Sequence, residues 1–148
     1  MYFVDRSKIE ETLKYFDEIL ADIKKFSFTT RQEKLSLERM THMIIESIID
    51  VGNMMIDGFI MRDPGSYEDI IDILVDERVI PSTDEQAYKQ IIELRQMIVR
   101  EYLAINHEKL QSTLTKTQET IEKFSTYVSD YLENELGVAN TFSNEEGR

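Results

Sequence analysis

The fold of this chain is decided by residues 35–61, LSLERMTHMIIESIIDVGNMMIDGFIM. When this stretch is wound as an α-helix, apolar side chains occupy most of its circumference, so such a helix must be contacted on most of its sides. Thr30 and Glu33 have the spacing of a capping box, which predicts a helix that begins at Thr30 and runs to about Met61. We therefore expect this helix to be the central element of a helical bundle.

A narrow polar stripe interrupts the apolar surface of this helix. Its members recur every three or four positions and so line one face, and they are Arg39, His42, Glu46, Asp50, Asn53 and Asp57. Two interpretations are open: the stripe is the solvent-exposed edge of a mostly buried helix, or part of it faces a partner subunit or a charge on another helix. Because no Glu-x-x-His pair accompanies the acids, we assign no metal site.

The rest of the chain also follows helical periodicity. It predicts a first helix from about Ser7 to Lys25, a short helix capped by Ser66, a fourth from Thr83 to Asn106, and a fifth from His107 to Leu136 that ends at Gly137. Ser7 and Glu10 have the spacing of a capping box at the start of the first helix, and Asn106 can cap the fifth. The polar, aperiodic residues 138–148 predict a flexible tail after a bundle that spans residues 1–137. The predicted fold class is all-α, an up-and-down bundle of about five helices.

Composition narrows the classes of function. The 148 residues are enough for one domain, and the absence of cysteine excludes disulfides, thiolate metal sites and a cysteine nucleophile. A formal charge of −12 repels phosphate backbones at long range, which disfavours generic nucleic-acid binding, DNA included, but leaves a small local RNA site open. Acids interrupt the most apolar run and no signal peptide is visible, so we expect a cytoplasmic protein.

The fourth helix carries a charge on its apolar side. Its apolar stripe is Tyr88, Ile91, Ile92, Ile98, Val99 and Tyr102, and Arg95 falls in the middle of it. Burial of an unpaired guanidinium costs several kcal/mol, so Arg95 needs a carboxylate, a bound anion or a polar interface. On a continuous helix Tyr102 lies two turns further along the same face. Arg95 either grips a phosphate there or forms a structural bridge to Glu46 or Asp50.

Few other residues suggest chemistry. There is no glycine-rich phosphate loop and no nucleophile elbow. Of the two histidines, His42 lies on the polar stripe and His107 begins the fifth helix, where a histidine is usually a surface residue. We assign no cofactor.

Four stretches resemble a known family: MYFVDR (1–6), IIDVGN (48–53), GFIMRDPGSY (58–67) and ILVDE (73–77). The chain resembles the HepT-like branch of the HEPN superfamily, and within it the YutE group of Bacillus proteins, over almost its whole length. The resemblance implies a helical homodimer with a site in a cleft at the dimer interface. It also implies descent from toxin ribonucleases, many of which are encoded beside a nucleotidyltransferase antitoxin.

The resemblance also implies the site residues. Arg95 matches the family's motif arginine, Gln96 the polar position beside it, and Tyr102 the tyrosine to which an antitoxin can add AMP. The family's motif histidine is replaced by Arg100, and arginine cannot act as a general base near neutral pH. A shifted motif from Arg100 to His107 fits the family's loose spacing but leaves Tyr102 without a role.

Three functions follow as hypotheses. The first is a homodimer of ribonuclease ancestry that binds RNA or another anion, or regulates, without cleaving. The second is an active endoribonuclease toxin, paired with a nucleotidyltransferase, in which Arg95 and Arg100 stabilise the phosphorane and His107 or Tyr102 aids proton transfer. The third is a helical scaffold in which Arg95 bridges to an acid.

Overall fold

A computed structural model of the protein describes residues 3–146, and the side chains up to residue 137. Its six α-helices are α1 (Arg6–Lys25), α2 (Arg31–Gly58), α3 (Tyr67–Asp76), α4 (Glu85–Arg100), α5 (His107–Ile121) and α6 (Phe124–Glu146). Two 3₁₀ turns, Ser82–Asp84 and Tyr102–Ala104, flank α4. The described residues contain no strand, which confirms the all-α class. In the same part of the chain, no helix is both long and apolar enough to cross a membrane.

The central position predicted for α2 is confirmed, because α2 packs against α1, α3 and α4. Its capping box is also present: the Glu33 N–H donates to Thr30 Oγ1 at 3.2 Å, and the Thr30 N–H donates to Glu33 Oε1 at 2.9 Å. The N–H of Thr30, and next the hydroxyl of Ser27, donate to the Glu33 carboxylate and lower its pKa to about 2. The first turn of the central helix is thus fixed by its own side chains.

The predicted end of α2 and the predicted start of α1 differ from the structure. α2 ends at Gly58 rather than near Met61, because Ile60 adopts a left-handed φ of 56° and the Met61 N–H donates to the Ile56 carbonyl at 2.9 Å. The left-handed residue that ends a helix in this way is usually glycine, so the isoleucine at position 60 does not reveal the helix end in the sequence. At the start of α1 the cap is Asp5 rather than Ser7, since the Asp5 carboxylate accepts from the Lys8 N–H.

α4 is shorter at both ends than predicted. The 3₁₀ turn at Ser82–Asp84 precedes it, and it ends at Arg100 rather than at Asn106. Asn106 instead caps α5, accepting from the Lys109 N–H at 3.0 Å, as its position in the sequence predicts. Because α5 packs back against α4, the chain must turn between Arg100 and Asn106. Tyr102 therefore lies in this turn and not on the helix.

The predicted fifth helix is divided into α5 and α6. The Thr120 carbonyl accepts from the hydroxyl of Tyr88 on α4 at 3.0 Å and from the Lys123 N–H at 3.2 Å. A side chain that bonds a helix carbonyl disturbs the regular ladder at that point. Phe124, the first residue of α6, is fully buried, with its ring centroid 5.5 Å from that of Phe16. The division depends on contacts with α1 and α4.

α6 also continues beyond the predicted end at Gly137, reaching Glu146. No glycine among the described residues has a positive φ, so Gly137 does not make the left-handed closure that its type predicts. The division into a bundle over residues 1–137 and a flexible tail over 138–148 stays a prediction. The last two residues of that tail, Gly147 and Arg148, lie outside the described residues.

The contact between α2 and α3 predicts the effect of a Gly52→Ala substitution. A Cβ at Gly52 would lie 2.5 Å from Cγ2 of the buried Ile70, whose branched side chain has little freedom to move. Overpacking costs about 1–3 kcal/mol, more than the roughly 1 kcal/mol that alanine gains over glycine in a helix. We expect urea denaturation to show a lower free energy of unfolding for Gly52→Ala than for the wild type.

Gly137→Ala is the matched control. A Cβ at Gly137 would meet no atom within 4 Å, so the same substitution is expected to stabilise the protein by about 0.5–1 kcal/mol. Equal effects of the two substitutions would contradict the close approach of α2 and α3.

Candidate functional site

Arg95 reaches from α4 to the polar stripe of α2. Its Nε donates to Oε1 of Glu46 at 2.8 Å, and the side chains of Arg95 and Glu46 are 24% and 30% exposed. The hydrogen bond to the Glu46 carboxylate raises the pKa of Arg95 further above its ordinary value. The buried residues of α4 lie on both sides of Arg95 around the helix, Leu94 and Ile91 on one side and Ile92 on the other, so Arg95 lies in the middle of the apolar stripe as predicted. Of the two acids considered from the sequence, Glu46 is the partner.

Tyr67, the first residue of α3, lies against the other side of this arginine. Cζ of Arg95 is 4.6 Å from the centroid of the Tyr67 ring, well within the range of a cation–π contact. Arg95 is therefore held by three helices: it belongs to α4, bonds α2 and stacks on α3. Sequence reasoning gave Tyr67 no role, although the residue ends the stretch 58–67 that carries the family resemblance most specifically.

The turn before α3 fixes the position of Tyr67. Arg62 forms two parallel hydrogen bonds to the Asp69 carboxylate, at 2.7 and 2.8 Å, and the Gly65 N–H donates to the same carboxylate at 2.8 Å. Ser66 caps α3 as predicted, accepting from the Asp69 N–H. The bonds from Arg62, and next that from Gly65, hold the pKa of Asp69 well below its ordinary value. This clasp sets where α3, and with it the Tyr67 ring, begins.

His42 meets the same oxygen of Glu46 that binds Arg95. Its Nε2 is 3.4 Å from Glu46 Oε1, and its side chain is 26% exposed. The ring nitrogen of His42 and the Nε of Arg95 therefore lie close to the same carboxylate oxygen, at 3.4 Å and 2.8 Å. Glu46 gathers an arginine and a histidine from different helices into one partly open cluster.

The second histidine is paired in a different way. His107 Nε2 lies 2.7 Å from Oε2 of Glu38, one turn before His42 on α2, while His107 Nδ1 is buried with no hydrogen-bond partner. The expectation of a surface histidine is wrong, because this side chain is only 17% exposed. With one ring nitrogen engaged and the other buried, His107 is poorly placed to exchange a proton with a ligand.

The other residues of the predicted motif do not join this cluster. Gln96 and Arg100 are exposed on α4, and Tyr102 is 64% exposed in the turn that follows. Arg100 lies about 140° around the helix from Arg95, and the predicted shared face of Arg95 and Tyr102 is wrong because α4 ends between them. The contacts of Arg95 are instead with Glu46 and Tyr67.

The charge around the cluster limits what it can bind. Asp50 lies one turn beyond Glu46, and its pKa is raised first by desolvation and then by the negative charge of Glu46. An anion must therefore contact the arginine directly, because the surrounding helix face is acidic. Within the described part of the chain, only Nε of Arg95 has a hydrogen-bond partner. Its two terminal nitrogens remain as donors for an oxyanion such as a phosphate.

Comparison with known proteins relates this chain to one family of ribonucleases. The sequence pattern of one protein family, "Ribonuclease HepT-like", matches residues 9–128. The chain is 44% identical over 143 residues to the Bacillus subtilis (strain 168) protein named "Putative RNase YutE", covering 96% of this chain and 99% of that protein. It is also similar to a solved structure described as "Structure of Cytosolic Protein of Unknown Function YutE from Bacillus subtilis". The TM-score is 0.90 and the identity 45%, over 93% of this chain and 96% of the other.

The clasp around Asp69 predicts a pH-dependent effect of Asp69→Asn. A carboxyl whose pKa is lower in the folded protein than in the unfolded chain stabilises the fold above its unfolded pKa, about 3.9, and this contribution is lost as the pH falls. We expect the variant to be less stable than the wild type at pH 7, and the difference to shrink as the pH falls from about 5 towards 2. Chemical denaturation at several pH values measures this.

Asp63→Asn is the matched control, since Asp63 is exposed in the same turn. This variant is expected to be as stable as the wild type at pH 7. A difference between Asp69→Asn and the wild type that stays constant with pH would show that the clasp does not depend on the charge of Asp69.

Proposed function

Because the chain belongs to the HepT-like ribonuclease family, we propose that it binds RNA by the phosphate, through the guanidinium of Arg95. The observation that carries the proposal is the way this arginine is held. Glu46 bonds only its Nε and Tyr67 covers one face, so the two terminal nitrogens are fixed in place and available. A planar, pre-positioned guanidinium matches two oxygens of a phosphate at little entropic cost.

The surroundings favour single-stranded RNA over a duplex. The ring of Tyr67 is partly exposed beside the arginine and offers a surface on which an unpaired base can stack. With a net charge of −12, the protein lacks the broad basic surface that tracks a duplex backbone. Binding in this proposal rests on few direct contacts rather than on long-range attraction.

The assembly is also a proposal. Leu103 is 91% exposed in the turn after α4 and offers an apolar side chain that suits contact with a second copy of the chain, while the neighbouring Tyr102, 64% exposed, stays outside that contact in this proposal. We propose a cytoplasmic homodimer in which this turn borders the RNA cleft, with a nucleotidyltransferase as its partner. The exposed Tyr102 hydroxyl is then open to modification. The YutE structure, described as that of a cytosolic protein, supports the compartment.

A scaffold without ligand is the second candidate, and the Glu46–Arg95 ion pair favours it, because that pair already satisfies part of the charge of the arginine. The two functions differ in what the remaining nitrogens do. In a scaffold they only meet water, whereas in an RNA-binding protein they set the affinity for a phosphate.

Substitution of Arg95 tests the proposal. We expect Arg95→Ala to weaken binding of a fluorescent single-stranded RNA by about tenfold or more, since charge-assisted hydrogen bonds to a phosphate are lost. Arg95→Lys keeps the charge and is expected to lose part of the affinity, because it lacks the planar fork. Fluorescence anisotropy at low salt, with inorganic phosphate as competitor, measures both.

Arg78→Ala is the matched control, an exposed arginine at the opposite end of α3 from Tyr67. It should bind RNA as the wild type does. The scaffold function is supported instead if the wild type binds no RNA while Arg95→Ala lowers the free energy of unfolding. If the Arg78 and Arg95 variants lose equal affinity for RNA, binding depends on the overall charge of the protein and not on a specific site at Arg95.

A further inference from the structure

We infer that His42 is the proton-transfer residue of this site and that the site therefore cleaves the RNA it binds. The inference rests on the proposed function, because it needs a phosphate on Arg95. It goes beyond that function by assigning a catalytic role to a residue outside the family motif. Position 100, where the family has its histidine, holds an arginine.

The geometry brings His42 to the place where a base is needed. Its Nε2 lies 3.4 Å from Glu46 Oε1, and that oxygen also accepts from Arg95 Nε at 2.8 Å. All three side chains are partly exposed, so a ligand on the arginine can also reach the imidazole. The Glu46 carboxylate therefore keeps the imidazole and the guanidinium close to each other at one partly exposed place.

The other candidates for this role are less well placed. Arg100 keeps its proton at any ordinary pH, and Tyr102 lies in the turn beyond the end of α4. His107 is engaged by Glu38 through Nε2 and buried at Nδ1. The carboxylate of Glu46 is already engaged, because it accepts a hydrogen bond from Arg95. Among the described residues near Arg95, His42 is the partly exposed side chain that can act as a general base.

The reaction follows from the two roles. The imidazole of His42 removes the proton of the ribose 2′-hydroxyl, and the 2′-oxygen forms a bond to the adjacent phosphorus held on Arg95. The terminal nitrogens of Arg95 stabilise the negative charge of the five-coordinate phosphorus. The bond from phosphorus to the 5′-oxygen then breaks, that oxygen takes a proton from water, and the hydroxide left behind takes the proton from His42. The products are a 2′,3′-cyclic phosphate and a 5′-hydroxyl, with no oxidant or metal needed for the balance.

The charges facing His42 fit this role. Glu46 follows it by one turn on α2, Glu38 precedes it by one turn, and Arg95 approaches from α4. Glu38 is paired with His107, which leaves Glu46 as the acid beside His42. The positive charge that forms on the imidazole during the reaction lies beside the carboxylate, which stabilises it.

Cleavage of a short single-stranded RNA, followed by gel electrophoresis and mass spectrometry of the ends, tests the inference. The wild type is expected to give 2′,3′-cyclic phosphate ends and to bind, but not cleave, the matched oligonucleotide with fluorine in place of each 2′-hydroxyl. His42→Ala and His42→Gln should bind RNA as the wild type does and cleave about 100-fold more slowly or less. Added imidazole should restore cleavage by a His42→Gly variant.

His107→Gln is the matched control, since it alters the other glutamate-paired histidine, and it should cleave at the wild-type rate. If the wild type binds no RNA, the proposed function itself fails and the inference with it. If the wild type binds RNA without cleaving, the protein is a binding protein and only the inference is overturned. Wild-type cleavage by His42→Ala, or a His42→Gly variant that folds and binds but does not respond to imidazole, also overturns it.

Discussion

The charge of Arg95 is the constraint on which the site depends. A guanidinium within an apolar helix face must be paired, and Glu46 pairs it. That pairing links the two helices at the centre of the fold, since α2 and α4 each pack against several others. It also aligns Arg95 over Tyr67 and brings it to the oxygen that His42 approaches. The Glu46 carboxylate therefore offsets the cost of burying the charge of Arg95, and it also brings together side chains that can act on a ligand.

α2 has two functions that its sequence combines. Its broad apolar surface makes it the core of the bundle, and its polar stripe supplies His42 and Glu46 one turn apart. A rigid, mostly buried helix is a precise support for side chains that must keep their geometry. The clasp of Arg62 on Asp69 has a similar role at the start of α3. The site is thus held by helices, while the exposed Tyr102 lies on a turn.

Local signals predicted much of this fold. The capping box at Thr30, the caps at Ser66 and Asn106 and the central position of α2 follow from spacing alone, and all are present. The division of the last predicted helix was missed, because it depends on Tyr88 bonding the carbonyl of Thr120 from another helix. The end of α4 was missed for a similar reason: no glycine or proline marks it, and the packing of α5 imposes it. Local patterns report propensity and caps, not contacts between distant segments.

The site was predicted in part. A misplaced arginine and an acid stripe were enough to suggest the bridge to Glu46, because both charges need a partner. Tyr67 and His42 were not assigned, since stacking on Arg95 and the sharing of one Glu46 oxygen are visible only in three dimensions. The ring nitrogens of the two histidines test the account most directly. Their ¹⁵N NMR signals are followed while a 2′-fluoro oligonucleotide is added, which has the RNA phosphates but cannot be cleaved. The account predicts that the His42 signals shift while those of His107 stay. Unchanged His42 signals at saturation with the oligonucleotide would contradict it.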